Sequence, residues 1–486
     1  MKKNKALVPV IAVFLLFAAG QVRGQGQGAM DIGPTLSLQQ AVAIGIKNNL
    51  VVNQTDIQSQ TARVNLTQAW SNLLPNISAS ASQGIGFGRS LITSTYTYTD
   101  QQTTSGNYQL NASLTLFSGL TLQNSIRQYN YAYNASKMDL QQQKDNITLS
   151  VLLAYLQVLS SQDLLNIARQ QADVDAKQVD RLDTLNNEGA LLLLSNLTDL
   201  RGQYAGDKAN IATAANNLET AKINLFQYLN VPYKRDVEYD MGALTMQLNE
   251  YPQHPDSVYQ TALRTMPSIQ SADLRIRSYQ RALAAARGQY YPTLSFYTNV
   301  NSYYSNAAPP VSTLIGTSDQ PLQSYVNVGG TKYQVLAPTQ SFTFTNATWG
   351  DQFKNNRQTS LGVQLNIPIL NFLRARNGVK QAKINLRNSE INSNSTRLLL
   401  QQGVEQAYQN MIASYKQYKA YIDQAAAYAE SFRTTEIRFN EGVINSDVYV
   451  LAKNNTDRAN TSLAQAKYTY IFRTKVLDYY QGRLSW

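Results

Sequence analysis

Cysteine is absent from the 486-residue sequence, and histidine occurs once, at His254. Without cysteine the chain can form neither disulfides nor thiolate metal sites, and it offers no cysteine for a lipid anchor. The sequence also shows no paired metal-ligand spacing, no Gly-rich phosphate loop and no G-x-S-x-G motif. We therefore expect no metal, no cofactor and no enzyme activity.

Charged residues are sparse, at 15% of the chain, although the formal net charge is +11. The basic residues are dispersed along the sequence, whereas nucleic-acid binding requires a basic cluster. This distribution favours a solvated surface, and we expect no nucleic-acid partner.

Long apolar runs are also scarce. The exception is residues 6–19, which follow three lysines and precede small residues near position 24. This pattern is typical of a secretory signal peptide, residues 1–24, which is cleaved before Gln25. Its 14 apolar residues are fewer than the roughly 20 that span a membrane as a helix. No other run approaches spanning length, so a membrane-inserted mature chain must use the strands of a closed barrel.

An internal repeat organises the rest of the sequence. Shifted by 253 positions, residues 108–230 align with 361–483 without a gap. A shift of 217 aligns the upstream part and places Pro75 on Pro292, so the second copy has 36 additional residues within 293–360. A register of this length indicates two copies of one structural unit. The predicted organisation is a first copy at 25–235, a linker at 236–255 and a second copy at 256–486.

Both copies predict the same order of elements. A helix ends before a Leu-Pro or Tyr-Pro pair, because proline disfavours helix in the preceding residue. A short strand, a loop and a second strand follow, and the loop of the second copy contains the insertion. A very long helix with the 3.5-residue apolar period of a coiled coil then leads to an Asn-Glu-Gly turn and a returning helix. The predicted helices are 36–74, 119–187 and 196–230 in the first copy, and 256–291, 372–440 and 446–484 in the second.

The second strand of each copy alternates apolar and polar residues. In a lipid-embedded barrel the apolar side chains would face lipid, and Gln364 and Asn366 would face water. A soluble hairpin packed on a helix would show the same pattern. The predicted lipid-facing residues are Leu110, Leu114, Leu116, Val363, Leu365, Ile367 and Ile369.

Two strands from each copy give four strands per chain, which cannot close a barrel. Because an open sheet edge cannot lie in lipid, further chains must complete the barrel. Two chains would give eight strands and an interior filled by side chains, and three would give twelve strands and a lumen.

The chain resembles the TolC family of outer-membrane efflux proteins over essentially its mature length. The segments that carry the resemblance are LSLQQAVAIGIKNN, the junctions LLPNISAS and YYPTLSF, the strands LTLFSG and LNIPILNF, and the paired NEG turns. The resemblance implies an α+β, mainly α fold. It implies a homotrimer whose chains share a transmembrane β-barrel, with long antiparallel coiled-coil helices forming a periplasmic α-barrel. It further implies a passive duct in the outer-membrane lipid that docks to a periplasmic adaptor and an inner-membrane pump, for efflux or type I secretion.

In that family, acidic side chains after the second-copy glycine narrow the periplasmic tip. The matching stretch, GVINSDVYVLA, begins at Gly442 and carries one carboxylate, Asp447. The alternative interpretation of Asp447 is an ordinary acidic residue near the positive end of a helix dipole. The candidates for a gate or constriction are Asp447, Asn445, Glu441, Asn196 and Asp199, and the turn residues are Glu188, Gly189, Glu441 and Gly442.

A second class of function stays open, namely a structural or adhesive coiled-coil stalk anchored by a trimeric barrel. Such stalks usually carry their strands at the C-terminus, after many short repeats. Here the strands lie inside each of two large copies, which favours the duct.

Overall fold

The computed structural model describes residues 33–92, 97–188, 194–240, 249–308 and 310–483. Within these ranges the chain is α+β and mainly α, which confirms the predicted fold class. The predicted signal peptide and the turn residue Gly189 lie outside the described residues. The helices are α1 Leu38–Asn48, α2 Leu50–Ser71, α3 Thr121–Asn187, α4 Leu194–Leu229, α5 Pro255–Thr265, α6 Pro267–Gly288, α7 Trp349–Asn355, α8 Arg374–Asn440 and α9 Ser446–Tyr480. The strands are β1 Thr35–Leu36, β2 Asn76–Ile92, β3 Thr97–Ser118, β4 Glu238–Tyr239, β5 Thr293–Ser305, β6 Val311–Val328, β7 Thr331–Thr345 and β8 Gln358–Asn366.

The two long helices follow the predicted repeat in length and position. Helices α3 and α8 have 67 residues each, and their bounds differ by 253 positions at both ends. Each begins two residues after its predicted start. The apolar positions that recur every 3.5 residues along the predicted long helices form a seam, which includes Val151, Val404 and Met411. These three side chains are buried and at most 2% exposed. Burial of this seam, rather than helix propensity, stabilises such long polar helices.

The helix that precedes the strands is two helices in each copy, where the sequence predicted one. The breaks lie at Asn49 and Met266, whose extended backbone has ψ of 124° and 123°. Pro267 explains the second break, because proline disfavours helix in the residue before it. At the first break, the Asn49 side chain accepts hydrogen bonds from the backbone N–H groups of Val51 and Val52, at 2.9 and 3.2 Å. It therefore acts as the N-cap of α2.

Four strands form an antiparallel sheet in the order β2-β3-β5-β8. The β3–β5 pair joins the first copy to the second, and β2 and β8 are the two edges of the sheet. Strand β8 ends at Asn366, short of the predicted end at 369. Pro368 accounts for this difference, because proline has no N–H group to donate to a neighbouring strand.

The insertion in the second copy contains regular structure, where the sequence predicted a loop. Strands β6 and β7 form a separate antiparallel pair, and α7 follows them. Threonine, valine, tyrosine and phenylalanine are frequent in these strands and favour extended structure. They are mixed with Gly, Ser and Asn, which made the segment resemble a loop. Helix α7 begins with a capping box in which the Thr348 side chain accepts from the Asp351 N–H.

The described residues divide into two compact units, each of which contains parts of both copies. The first unit is drawn from 1–56, 140–266 and 399–486, and the second from 57–139 and 267–398. Helices α3 and α8 each contribute residues to both units. The repeat seen in the sequence therefore does not correspond to two separately folded bodies.

The first unit contains a large apolar core. Val151, Tyr155 and Leu225 are completely buried there, in α3 and α4. The Tyr155 hydroxyl donates to the carbonyl oxygens of Leu36 and Asp240, each at 2.9 Å. This contact ties the short parallel pair β1–β4 to the middle of α3.

A close backbone approach joins the two copies within the second unit. Gly119 follows β3 with φ of +61°, and a Cβ there would lie 2.3 Å from the Gly288 carbonyl oxygen at the end of α6. The Thr121 hydroxyl donates to the Ala285 carbonyl at 3.2 Å. The glycine pair thus allows the turn after β3 to lie directly on α6.

Among the described residues, one helix is long and apolar enough to meet the length and composition of a membrane span. It is α3, and 61% of the relevant window is buried inside the chain. The sequence predicted no second run of this kind. The burial is that of a core helix, so the apolar residues are explained by packing.

Candidate functional site

The register of the four-stranded sheet assigns its side chains to two faces. Directly opposite residues in antiparallel strands point to the same side. Leu114 pairs with Phe296, and Phe296 pairs with Val363, so three strands place apolar residues on one side. Ile77 extends this side to β2 through its pairing with Ala112. We call this side the apolar face; it comprises Ile77, Ala79, Leu110, Ala112, Leu114, Leu294, Phe296, Leu361, Val363 and Leu365.

The opposite side of the same sheet is polar. Asn111 pairs with Asn299, and Asn299 pairs with Ser360, so their side chains lie side by side on three strands. The Asn299 amide donates a hydrogen bond to the Asn111 side chain. We call this side the polar face; it comprises Ser78, Ser80, Asn111, Ser113, Ser295, Asn299, Ser360 and Gln364, and the aromatic residue Tyr297 also lies on it, opposite Ser113.

Helix α7 packs on one end of the apolar side of the sheet, at Tyr108 and Ser302. Elsewhere no described residue buries the apolar face: on the inner strands, Leu110 and Phe296 are 46% and 36% exposed. Leu361, Val363 and Leu365 on β8 are 72%, 60% and 59% exposed, and Ile77 on β2 is 65% exposed. A soluble hairpin packed on a helix, the alternative interpretation, would bury these side chains. A contiguous exposed apolar surface marks an interaction with lipid or with another protein.

The predicted lipid-facing residues fall into two groups. Four of the seven lie within the strands on the apolar face: Leu110, Leu114, Val363 and Leu365. Leu116 lies in a β-bulge between Thr115 and Phe117, which interrupts the alternation and places Phe117 opposite Leu294. Ile367 and Ile369 lie beyond the end of β8.

In the second-copy turn, helix α8 ends at a residue with left-handed backbone conformation. Gly442 has φ of +72°. The Val443 N–H donates to the Arg438 carbonyl at 2.8 Å, and the Gly442 N–H donates to the Phe439 carbonyl at 3.0 Å. This pair of hydrogen bonds is a Schellman motif, for which glycine is preferred because it lacks Cβ. The predicted turn residue Gly442 therefore ends α8 as expected.

Two of the gate candidates hold the start of α9. The Asn196 side chain accepts from the Ser446 backbone N–H at 3.2 Å. The Ser446 hydroxyl donates to Asp199 Oδ2 at 2.7 Å. Asn196 and Asp199 lie on α4, in the first copy, so the structure joins the first copy to the first turn of the second-copy return helix.

The other candidates are exposed. Asp447 lies in the first turn of α9, and Asn445 is its N-cap residue but makes no side-chain capping hydrogen bond. Glu441 and Glu188 are also exposed. The position of Asp447 satisfies the helix-dipole interpretation, and its exposure leaves its carboxylate available to line a pore.

An apolar cluster stabilises the tip beneath these polar residues. Tyr449 is completely buried and its ring stacks on Phe439, with ring centroids 4.7 Å apart. Its hydroxyl has no hydrogen-bond partner among the described residues, and burial raises its pKa. The cluster comprises Leu182, Leu197, Leu200, Phe439 and Tyr449.

Sequence reasoning missed a buried ionic cluster two turns into α9. Lys453 lies within 4 Å of three carboxylates, those of Asp175, Asp207 and Asp457. The repeat itself contained a signal: the shift of 253 places Lys453 on Leu200, a core residue of the first copy. A charged residue at a position that is apolar and buried in the other copy indicates a buried charge.

Known proteins share both the sequence pattern and the fold. The pattern of the family described as outer membrane efflux protein matches residues 42–231 and 258–475. The chain belongs to this family. The two matched segments correspond to the two copies of the repeat, and the predicted resemblance is confirmed.

Individual relatives are distant in sequence. The outer membrane protein TolC of Salmonella enteritidis is 23% identical over 79% of this chain and 70% of its own length. The outer membrane protein TolC of Escherichia coli K12 is also 23% identical, over 68% of this chain and 60% of its own length. The solved structure of CusC has a TM-score of 0.71 at 15% identity and covers 91% of both chains. VceC of Vibrio cholerae has a TM-score of 0.69 at 12% identity, over 92% of this chain and 96% of its own. These structures share the fold.

Proposed function

We propose that the protein is the outer-membrane exit duct of a tripartite efflux or type I secretion system. In this proposal three chains form a passive pore, to which a periplasmic adaptor and an inner-membrane pump deliver small molecules or proteins. The signal peptide, residues 1–24, is removed on export, and the copies at 25–235 and 256–486, joined by 236–255, contribute to both the membrane barrel and the periplasmic helices. Membership of the outer membrane efflux protein family supports this role.

The observation that carries the proposal is the two-faced sheet. Its apolar face is exposed and its other face is polar. In a barrel wall, the first face contacts hydrocarbon and the second lines a water-filled lumen. No chemistry is required of such a wall, which agrees with the absence of cysteine and the single histidine in the sequence.

The two sheet edges support closure by further chains. Among the described residues, strands β2 and β8 each have one edge without a neighbouring strand, and such edges cannot remain open in lipid. Within the chain, Asn111 of β3 pairs with Asn299 of β5. By the repeat, Asn111 of the first copy corresponds to Gln364, 253 positions later, and Asn299 of the second copy corresponds to Ser82, 217 positions earlier. The equivalent pairing therefore places Gln364 of β8 opposite Ser82 of β2 in the next chain. Three chains joined in this way give twelve strands.

The turn after β8 supports the same head-to-tail arrangement. Phe372 corresponds to Gly119 of the first copy, and it also has positive φ, at +55°. Gly119 packs on the end of α6, whereas Phe372 is 94% exposed. By the repeat, Phe372 would pack on the end of α2 in the next chain.

The tip residues are proposed as the gate. Three copies of exposed Asp447, together with Asn445 and Glu441, would form a ring at the pore entrance. Opening would require the α8–α9 hairpin to separate from α4, where Asn196 and Asp199 hold Ser446. An adaptor that binds the separated state better than the closed state would supply the free energy.

Single-channel conductance of the purified protein in planar bilayers tests this proposal. We expect a small, mostly closed conductance that increases in Asp447→Ala. Asp173→Ala is the matched control, because Asp173 is exposed on α3 and forms its ion pair with Lys177 of the same helix. Absence of conductance in every variant would refute the duct and favour the structural or adhesive stalk. An equal increase in both variants would refute the role of Asp447.

A further inference from the structure

A buried lysine lies where α3, α4 and α9 meet in the first unit. Lys453 of α9 is 1% exposed, and its Nζ lies 2.5 Å from Asp457 Oδ2, 3.1 Å from Asp175 Oδ2 and 3.2 Å from Asp207 Oδ2. Asp175 belongs to α3 and Asp207 to α4. One ammonium group of the second copy thus contacts a carboxylate from each of two first-copy helices.

The charges of this cluster do not balance. One ammonium and three ionised carboxylates would leave two uncompensated negative charges, and Asp175 is completely buried. Burying a charge without compensation is costly, so a carboxyl in such a position binds a proton. Asp207 has an additional donor, since its Oδ1 accepts from Gln203 at 3.4 Å.

Asp175 is the carboxyl whose oxygens accept no hydrogen bond of good geometry from the described residues. Despite its 3.1 Å approach to Lys453, neither of its oxygens accepts a well-directed hydrogen bond in the described structure. Asp207 approaches the same Lys453 Nζ, at 3.2 Å, so the two carboxyls lie side by side around one ammonium group. A proton on Asp175 would be donated to Asp207, which satisfies both carboxyls and removes one negative charge.

The groups around Asp175 come from four helices. Lys453 and Tyr449 face it from α9, and Asp207 faces it from α4. Asp457 of α9 contacts the same Lys453. Glu436 of α8 and Arg181 of α3 act on the neighbouring Tyr449 hydroxyl. Burial raises the pKa of Asp175 to about 7; Lys453 opposes the rise and Asp207 adds to it. Burial also raises the pKa of Asp457.

We propose that Asp175 and Asp207 form a proton-binding site whose occupancy fixes the second-copy helix α9 against the first-copy helices α3 and α4. With the proton bound, the two carboxyls share a hydrogen bond beside Lys453. Without it, two adjacent carboxylates repel one another, and the contact between the copies loosens. This inference rests on the proposed function only in its consequence, that proton loss favours opening of the duct.

The sign of the pH dependence follows from the raised pKa. The packed state holds a proton at pH values where a loosened, hydrated Asp175 has its ordinary pKa near 4. The stabilisation is complete below about pH 4, is lost as pH rises towards 7, and does not change above 7. Asp457 contributes with the same sign.

Hydrogen–deuterium exchange of the detergent-solubilised full chain tests the site without requiring channel activity. Exchange in residues 446–460, divided by the intrinsic rate at each pH, is compared in wild type, Asp175→Asn and Asp173→Asn. Asp175→Asn replaces the protonated carboxyl with a group of the same shape that also donates. The control, Asp173→Asn, alters an exposed carboxylate on the same helix.

We expect wild-type protection to fall at least ten-fold between pH 5 and 7 and then to level off, and Asp173→Asn to behave identically. In Asp175→Asn, residues 446–460 should stay protected from exchange, and most of the pH dependence of that protection should be lost. A wild-type chain without pH dependence, or an Asp175→Asn variant that retains all of it, would overturn the inference. Conductance of the same preparations separates the two proposals, because a protein that conducts nothing but shows the expected exchange would refute the duct alone.

Discussion

The two compact units place their large apolar side chains in opposite environments. The first unit buries Tyr155, Leu225 and Val151 in a core built from α1, α3 and α4. The second unit leaves the apolar residues of its sheet largely exposed, Leu361 and Val363 among them. The same chain therefore contains one unit with a buried apolar core and one unit whose apolar sheet residues are largely exposed.

The exposed apolar residues of the second unit require contacts from outside the single chain. Apolar burial contributes about 25 cal/mol per Å², so a bare apolar sheet is unfavourable in water unless lipid or protein covers it. The first unit needs no such cover for its core. The second unit exposes apolar surface and two sheet edges, which lipid and neighbouring chains would cover in the proposed barrel.

The largest expected effect comes from a cavity in the first unit. Leu225→Ala should destabilise the chain by about 2–5 kcal/mol, because it removes a completely buried side chain. Leu451→Ala is the matched control, since Leu451 is 62% exposed in the same unit, and surface substitutions usually change stability by less than about 0.5 kcal/mol. The apparent denaturant midpoint, followed by far-UV circular dichroism, should fall only for the first. Equal shifts would show that the first unit also relies on external contacts.

The next effect distinguishes the two faces of the sheet. Val363→Arg places a charge on the apolar face, which costs roughly 2–4 kcal/mol near the middle of a bilayer. Gln364→Arg places the same charge on the polar face of the same strand. We expect Val363→Arg to lower the amount of protein recovered in outer-membrane fractions, and Gln364→Arg to leave it near the wild-type level. The reverse order would mean that the faces are assigned the wrong way round.

The smallest effect concerns the tip of the first unit. Asn196→Ala should raise hydrogen–deuterium exchange in the first turn of α9, because it removes the acceptor for the Ser446 N–H. Loss of a helix cap costs about 1 kcal/mol, which corresponds to roughly five-fold faster exchange. Asn445→Ala should change little, since Asn445 makes no capping hydrogen bond with its side chain. Faster exchange in Asn445→Ala alone would contradict this assignment.

Periodic patterns made much of the fold predictable. The repeat and its 3.5-residue seam predicted α3 and α8 to within two residues, because every turn of a long helix reports the same buried face. The alternation of Val363 and Leu365 with polar residues predicted β8, because successive side chains of a strand point to opposite faces. Local exceptions were not predictable from period alone: the bulge at Leu116, the break at Asn49 and the end of β8 at Asn366 each depend on one residue or one hydrogen bond.

The candidate site was predictable only in part. Gly442 could be placed because the left-handed conformation that ends many helices favours glycine. Asp447 stays a candidate, chosen for its position after that glycine. The contacts of Ser446 with Asn196 and Asp199 join residues about 250 positions apart. The cluster at Lys453 joins three helices. Such contacts depend on how helices pack side by side, which a single sequence does not specify.

Cross-linking between β8 and β2 of neighbouring chains tests the central claim most directly. Because the chain has no cysteine, Ser82→Cys/Gln364→Cys introduces only the two thiols that the repeat places opposite each other. Ser78→Cys/Gln364→Cys is the control, displaced by four residues or about 13 Å along β2. On mild oxidation in the membrane we expect covalently linked trimers from the first pair and none from the second. Monomers alone from the first pair, or equal linkage from both, would contradict a barrel shared between chains in this register.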